Sequence, residues 1–265
     1  SIDEHPFTER DLTILKNKMN IGLVIGKKNS VSVPGKNTKK LLGRPSAEYA
    51  FIAAKYSNID EVYVSSDSEQ ILSIGENYDA KLIKRPQNLA QPDTLTEDVL
   101  THAYEYIKRD HEEISSISLL FCNNPAININ LLNKAIDFIN TNKEYDSCFS
   151  VVNYDMFSPT RARKLDDDNN ISSYTDLSKI ENVSSIRNAQ DACYFCDLSI
   201  QVMNPRCFED IENGNQPFKW QGKKLKAIKN DFGFDIDSEW QFVVIEYWLK
   251  KYGFTNKLIP WEKND

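Results

Sequence analysis

The stretch IGLVIGKKNSVSVPGKN, residues 21–37, decides the fold prediction. Its first five residues are apolar and predict a short buried strand. The loop that follows is rich in lysine, serine, asparagine and glycine, so main-chain N–H groups and ammonium groups can converge there on a phosphate. The stretch lacks both the GxGxxG and the Walker patterns. It predicts an α/β protein with a phosphate site after its first strand, and a surface loop with solvated lysines is the alternative.

Strand and helix patterns alternate after this stretch. Further strands are predicted over residues 61–65, 80–83, 114–121, 148–153, 193–203 and 225–228. Helices are predicted over 68–74 with Gly75 as the stop, over 96–109 with Thr96 or Thr94 as the cap, over 130–140, and over 237–252 with Gly253 beyond the end. The alternation predicts a largely parallel sheet covered by helices on both faces.

Residues 159–186 break this alternation, because they are polar and charged. The run DDDNN at 166–170 is typical of a turn at a solvated surface. The segment therefore predicts a hairpin or arm that leaves the main sheet.

Bulk composition excludes several classes of protein. The 265 residues carry a net charge of −7, which argues against extended nucleic-acid binding. The sequence has no apolar run long enough to cross a membrane, and residues 1–5 do not resemble a secretory signal. Five scattered cysteines do not suggest a disulfide framework, and the CxxC at 193–196 has no partner ligands for zinc. We expect a reduced, cytoplasmic protein.

Asp235 and Asp237 are the candidate metal ligands. Residues two apart in an extended segment point to the same side, so both carboxylates can bind one hard cation such as Mg²⁺. Phe234 and Ile236 would then face the core. In the alternative, Asp237 is an ordinary helix N-cap and Asp235 has no functional role.

Arg85 opens the turn RPQNLA, residues 85–90, which leads into the helix that Thr96 begins. Arg85 could reach a base or a phosphate, and Thr96 could do so from the start of the helix. The alternative is a loop arginine paired with a surface acid, together with an ordinary cap. The three histidines have no spacing that suggests a triad or a metal site.

The chain resembles the CMP-sugar synthetases in the order of five short motifs. These are PGKN at 34–37, LGRP at 42–45, VSSD at 64–67, DVL at 98–100 and DID at 235–237. These cytidylyltransferases activate acylneuraminate, related nonulosonic acids and Kdo. The resemblance implies a Rossmann-like, glycosyltransferase-A-like α/β fold over residues 21–265, after an extension over 1–20. It also implies CTP and Mg²⁺ at the carboxyl ends of the strands, and an arm over about 154–190 that forms a homodimer.

The resemblance assigns roles to particular residues. It implies nucleotide contacts from Lys36, Asn37, a hydroxyl at Ser30, and Arg85 and Thr96 near the cytosine and ribose, with metal binding by Asp235 and Asp237. Lys27 stands where the family places a phosphate-binding arginine. Substrate contacts are expected from Asn123 and from a cation of the arm: Arg187, Arg161, Arg163 or Lys164, for which simple surface charge is the alternative.

The chain also departs from the family pattern. Val31 replaces a loop lysine, and Gln241 stands where an acidic residue often follows the second aspartate. After the strand over 114–121, Phe121 replaces a glutamine expected at the sugar and Ile127 replaces an arginine. The fold and the triphosphate chemistry are therefore better supported than any particular sugar.

The expected reaction transfers CMP from CTP to the anomeric hydroxyl of a 2-keto-3-deoxy sugar acid and releases pyrophosphate. Lys27, Lys36 and Asp235 are the expected catalytic residues. One alternative is a nucleotidyltransferase of the same fold with another nucleotide or sugar. The other is a relative that binds a nucleotide or sugar without catalysis.

Overall fold

The computed structural model describes residues 18–30, 32–186, 189 and 191–262. Its strands are β1 (Met19–Gly26), β2 (Lys40–Leu41), β3 (Arg44–Pro45), β4 (Glu61–Ser66), β5 (Lys81–Lys84), β6 (Ile114–Phe121), β7 (Ser147–Asn153), β8 (Arg163–Leu165), β9 (Ile171–Ser173), β10 (Tyr194–Met203) and β11 (Leu225–Lys229). Its α-helices are α1 (Glu48–Lys55), α2 (Glu69–Glu76), α3 (Thr96–Asp110), α4 (Ile129–Thr141), α5 (Arg206–Glu209) and α6 (Glu239–Lys251).

Seven strands form the main sheet in the order β11-β7-β10-β6-β1-β4-β5. β1 pairs in parallel with β4 and β6, β4 with β5, and β7 with β11. β10 alone runs antiparallel to both of its neighbours, β6 and β7. The predicted Rossmann-like, mostly parallel α/β fold is confirmed.

Both faces of the sheet are buried. Successive side chains of a strand point to opposite sides, so each face packs into its own apolar cluster. Leu23 packs into one apolar cluster with residues of α3, and Val24 packs into another with residues of α1, α2 and α4. Neither side chain is exposed at all. Full burial of each such side chain contributes about 1.5–3 kcal/mol to folding.

Helix α1 was not predicted from the sequence. Its six residues from Tyr49 to Ala54 are all buried, so it lacks the polar face that marks an amphipathic helix. Phe51 packs beside the sheet, whereas Tyr49 and Ile52 pack against residues of α6. A helix that is apolar on every side fits only such a position between two apolar layers.

One predicted helix stop and one predicted helix cap were wrong. Gly75 does not end α2, since it lies inside this helix, where an added Cβ would be 2.8 Å from Val64 Cγ1. The glycine therefore allows close packing on β4. Neither threonine caps α3: the N-cap is Leu95, and Thr94 Oγ1 instead accepts a hydrogen bond from Gln91 N–H at 3.1 Å.

The predicted hairpin is present as the antiparallel pair β8 and β9. The arm leaves the sheet after β7 and returns into β10, and Tyr154 N–H donates to the Cys193 carbonyl at 3.3 Å where its two ends meet. Ile171 and Tyr174 of the arm are 71% and 70% exposed. Within the described ranges, no helix has the length and apolar character needed to cross a membrane.

Candidate functional site

A cleft of about 230 Å³ lies at the carboxyl ends of the parallel strands. β1 and its neighbours β4 and β6 end at this edge, where open α/β sheets place their ligands. The cleft is lined by Ile25, Gly26, Lys27, Lys36, Asn37, Arg85, Leu89, Gln91, Thr94, Thr96, Val99, Phe121, Asn123 and Asp235.

Most of the predicted site residues meet in this cleft. Lys27, Lys36, Asn37, Arg85, Thr96, Asn123 and Asp235 all line it. Ser30 does not line the cleft. Its hydroxyl lies 3.3 Å from the Ser32 hydroxyl and accepts a hydrogen bond from Val33 N–H, so it is engaged within its own loop. Asp237 adjoins the cleft through Lys36. Arg161, Arg163 and Lys164 are exposed on the arm and do not line the cleft, and Arg187 falls outside the described residues.

The lysine-rich loop is held in place by hydrogen bonds from neighbouring segments. Lys28 N–H donates to Asp67 Oδ1 at 2.8 Å, and Asn37 Nδ2 donates to the Lys27 carbonyl at 3.0 Å. Gly35 makes the turn at φ 68°, a conformation that favours glycine. The buried Asn37 Oδ1 has no partner among the described residues, so this oxygen is an acceptor available to a ligand in the cleft.

Arg85 is buried, with only 8% of its surface exposed. Its Nη2 donates to the carbonyls of Ser65 at 3.0 Å and Gly26 at 3.4 Å, and its Nε has no partner in the described part of the chain. Burial lowers the pKa of the guanidinium, and the charge of Asp67 opposes that shift. The alternative of a loop arginine paired with a surface acid is therefore wrong. A buried guanidinium with a spare donor beside a cleft favours binding of an anionic or carbonyl-bearing ligand.

Asp235 and Asp237 lie on the loop before α6 and differ in environment. Asp235 is partly buried and lines the cleft, whereas the Asp237 side chain is 61% exposed. Lys36 Nζ donates to Asp237 Oδ1 at 2.7 Å. Between the two acids, Ile236 is fully buried as predicted, and its N–H donates to the Asn123 carbonyl at 2.8 Å.

Asp237 is not the N-cap of α6, so that alternative is wrong. The N-cap is Ser238. The side chain of Gln241 turns back, and its Oε1 accepts from the N–H groups of Asp237 at 2.6 Å and Ser238 at 2.7 Å. Gln241 thus satisfies the helix start and leaves the Asp237 carboxylate available for other contacts.

Burial raises the pKa of Asp235 to about 7, and the charge of Asp237 adds to this rise. A hydrogen bond from Asn124 and the charge of Lys36 act in the opposite direction. Two carboxylates with too little positive charge beside them fit a hard divalent cation, which binds one or two protein carboxylates and completes its shell with water and phosphate oxygens. Across the described residues, no cluster of three or more His, Cys, Asp or Glu side chains forms a fuller metal site.

Asn124 and Asp197 were missed by sequence reasoning. Asn124 Nδ2 donates to Asp235 Oδ1 at 3.2 Å and to the Asp197 carbonyl at 2.9 Å. The Asp197 carboxylate is buried and accepts from the hydroxyls of Ser150 at 2.5 Å and Ser199 at 2.6 Å. Burial raises the pKa of Asp197. The available signal was an acidic residue in the middle of an otherwise uncharged predicted strand.

An aromatic wall closes one side of the cleft. Phe121, at the end of β6, packs edge-to-face on Trp220 with ring centroids 6.4 Å apart. Trp220 is fixed in turn, because its Nε1 donates to Gln201 Oε1 at 2.9 Å. Phe121 is thus a rigid apolar surface at the position where the family resemblance implies a glutamine.

Comparison with known proteins agrees with this geometry. A family model described as cytidylyltransferase matches residues 21–206. N-acylneuraminate cytidylyltransferase A of Danio rerio is 26% identical over 258 residues, which cover 90% of this chain and 52% of that protein. Pseudaminic acid cytidylyltransferase of Campylobacter jejuni is 28% identical over 120 residues, covering 44% of this chain and 52% of the relative. The chain spans about half the length of these curated relatives.

Two solved structures share the fold. A CMP:2-keto-3-deoxy-manno-octonic acid synthetase complexed with CTP superposes with a TM-score of 0.62 at 10% identity, covering 89% of this chain and 100% of that one. 4-Diphosphocytidyl-2C-methyl-D-erythritol synthase from Anaerococcus prevotii gives a TM-score of 0.54 at 13% identity, with 90% and 99% covered. The family model covers more than half of the chain, and the chain belongs to the cytidylyltransferase family.

Proposed function

We propose that this protein transfers CMP from CTP to a 2-keto-3-deoxy sugar acid of the sialic or pseudaminic type and releases pyrophosphate. One observation carries the proposal: Lys36, from the loop after β1, and Asp235, from the loop before α6, line the same cleft as the buried Arg85. Cations that could neutralise a triphosphate and a carboxylate that could hold a metal thus lie at one edge of the sheet, which supports the proposal.

Lys27 and Lys36 would neutralise the triphosphate as negative charge moves toward the leaving pyrophosphate. The ammonium of Lys36 is already held by Asp237 at 2.7 Å, so it needs little reorganisation when the nucleotide binds. The anomeric hydroxyl of the sugar attacks the α-phosphorus in line and releases its proton to solvent, the new P–O bond replaces the bond to the β-phosphate, and pyrophosphate departs on the opposite side. Bound Mg²⁺ would be held by Asp235 and Asp237, where it supplies Lewis-acid stabilisation of phosphate oxygens.

Arg85 and Thr96 would recognise the cytidine. Arg85 supports this role because it lines the cleft with an unpartnered Nε and lacks a carboxylate partner within the described residues. Asn37 Oδ1 adds an acceptor for a ribose hydroxyl or a base N–H group.

The sugar class is supported by the relatives, which are named for N-acylneuraminate and for pseudaminic acid. Asn123 lines the cleft beside Asp235 and supports a role in holding the acceptor. The carboxylate of the acceptor would need a further cation from the arm, for which Arg187 remains the candidate from the sequence.

We also propose a homodimer formed through the arm. Large apolar side chains are exposed on the arm, including Leu165 at 62%, Ile171 at 71% and Tyr174 at 70%. This apolar exposure is greater than is usual for an isolated surface hairpin and fits a protein interface. The five free thiols fit a reducing compartment, and we place the reaction in the cytoplasm. Light scattering should give the mass of a dimer for wild type and of a monomer for Ile171→Asp; a wild-type monomer would refute the arm assignment.

The deciding experiment measures pyrophosphate release with CTP and Mg²⁺ against a panel of nonulosonic acids and Kdo. Release with one acid that is abolished in Asp235→Ala would establish the reaction and the acceptor. Preference for UTP, GTP or dTTP would favour a nucleotidyltransferase with another nucleotide. Absence of release, together with thermal protection by CTP, would favour a binding protein without catalysis. Absence of both would refute the nucleotide assignment.

A further inference from the structure

A single side-chain amide joins three segments that are far apart in the sequence. Asn124 lies in the turn after β6 and has no surface exposed to solvent. Its Nδ2 donates both to the Asp197 carbonyl at 2.9 Å and to Asp235 Oδ1 at 3.2 Å. A carbonyl and a carboxylate both accept hydrogen bonds, so only one orientation of the amide satisfies both partners.

The Asp197 end of this bridge depends on an irregularity in β10. The pairing of β10 with β7 changes register between Cys196 and Gln201. Leu198, within this interval, has a φ of 59°, a left-handed conformation that is strained for leucine. Such a bulge interrupts the regular ladder and leaves the Asp197 carbonyl for the amide of Asn124.

The loop that carries the two acids rests on the same aspartate. Asn230 Nδ2 donates to Asp197 Oδ2 at 3.3 Å and to the Phe232 carbonyl at 2.7 Å. Gly233 lies so close that an added Cβ would be 2.7 Å from Asp197 Cγ. The loop is thus supported below by Asp197 and held at its carboxylate by Asn124.

We propose that Asn124 is a positioning residue for the divalent cation. The inference rests on the proposed role of Asp235 as a metal ligand. The terminal torsion of an aspartate side chain is soft, so a carboxylate without a partner samples a broad range of orientations. The hydrogen bond to Oδ1 fixes that torsion and so sets the direction of the other carboxylate oxygen, Oδ2, which would be available to hold the cation. Asn124 does not line the cleft, unlike its neighbour Asn123, so it acts through Asp235.

The test measures metal binding directly, using Mn²⁺ as the probe in the presence of CTP. Electron paramagnetic resonance reports free Mn²⁺ and therefore the dissociation constant for the full chain. Loss of a partner that orients a metal ligand typically weakens metal affinity by about 10- to 100-fold. We expect Asn124→Leu to show that loss, with a matching rise in the Mg²⁺ concentration for half-maximal pyrophosphate release and unchanged CTP affinity in EDTA.

Asn140→Leu is the matched control. Asn140 is also a bridging amide, since its Nδ2 donates to Asn20 Oδ1 at 2.9 Å and its Oδ1 accepts from the Ser115 hydroxyl at 2.7 Å. It lies near the start of β1 and β6, at the opposite edge of the sheet from the cleft. This variant should lose stability and keep wild-type Mn²⁺ affinity, because its amide does not contact a metal-binding residue.

Asn124→Ser provides a second variant if Asn124→Leu does not fold. Its shorter side chain keeps a hydroxyl donor and should give a weaker but measurable loss of Mn²⁺ affinity. Wild-type Mn²⁺ affinity in whichever variant folds would overturn the inference. Asp235→Asn tests the proposed metal site separately from the positioning role of Asn124. If it also binds Mn²⁺ normally, the proposed metal site itself is wrong; if it loses Mn²⁺ while the Asn124 variants do not, only the positioning role is wrong.

Discussion

Replacement of Asp235 by asparagine should stabilise the metal-free protein at neutral and alkaline pH. Burial, followed by the charge of Asp237, raises the pKa of Asp235 from 3.8 to about 7. The protonated carboxyl contributes stability that is fully present below about pH 4 and is lost as the pH rises through 7. A tenfold change in an ionisation constant corresponds to about 1.4 kcal/mol, so ionised Asp235 costs the fold on the order of 4 kcal/mol.

The assay is urea unfolding in EDTA from pH 4 to pH 8. Asparagine has nearly the same shape, and its Oδ1 can still accept from Asn124. The advantage of Asp235→Asn over wild type should grow from under about 1 kcal/mol at pH 4 to about 4 kcal/mol above pH 7. Asp237→Asn is the comparison and should give a smaller gain, because that side chain is 61% exposed and pairs with Lys36, and its charge is only the second cause of the raised pKa of Asp235. An advantage of Asp235→Asn that is absent at pH 8, or that does not change with pH, would refute the reasoning.

Three further predictions concern single side chains. On the proposed function, Lys36→Met should lower kcat by about 100- to 1,000-fold, because it removes a preorganised cation from the proposed triphosphate site; steady-state pyrophosphate assays measure it, and wild-type kcat would exclude a catalytic role. Phe121→Gln replaces an apolar wall of the cleft and should change the KM for the acceptor by about tenfold while the KM for CTP stays constant. Hydrogen bonds from Tyr63 and Lys81 lower the pKa of Asp110, so the stability they provide is lost as the pH falls below about 4. Lys81→Met should therefore flatten the acid limb of a plot of unfolding free energy against pH, and an unchanged slope there would contradict this.

Much of the fold follows from periodicity alone. β6 was predicted with both boundaries correct, and the other strands of the main sheet differ by one or two residues at their ends. Helix α1 was missed because its residues are buried on every side, which removes the pattern that sequence reasoning uses. Gly75 was read as a helix stop because local preference does not show that Val64 lies 2.8 Å from where its Cβ would be.

The residues of the candidate site were likewise predicted only in part. Residues whose chemistry is visible in the sequence, such as Lys36, Arg85 and Asp235, were predicted as site residues, and the structure places all three in one cleft. Asn124 and Asp197 were not found, because their importance comes from a hydrogen-bonded bridge between segments far apart in the chain. The position of Asp197 within an uncharged strand was a signal, but the bulge in β10 and the bridge to Asn124 cannot be predicted from residue type or spacing.

The antiparallel course of β10 has a consequence for how such proteins diversify. β7 ends and β10 begins at the same edge of the sheet, and Asn153 pairs directly with Tyr194. The whole arm is therefore an excursion whose entrance and exit are neighbours, so lengthening or shortening it leaves the strand order and both apolar layers intact. The edge from which it projects is the one that holds the cleft. Insertions and deletions in the arm can thus change this edge of the sheet while the strands of the main sheet stay unchanged, at little cost in folding stability. On the proposed function, this gives natural variation a route to new sugar specificity.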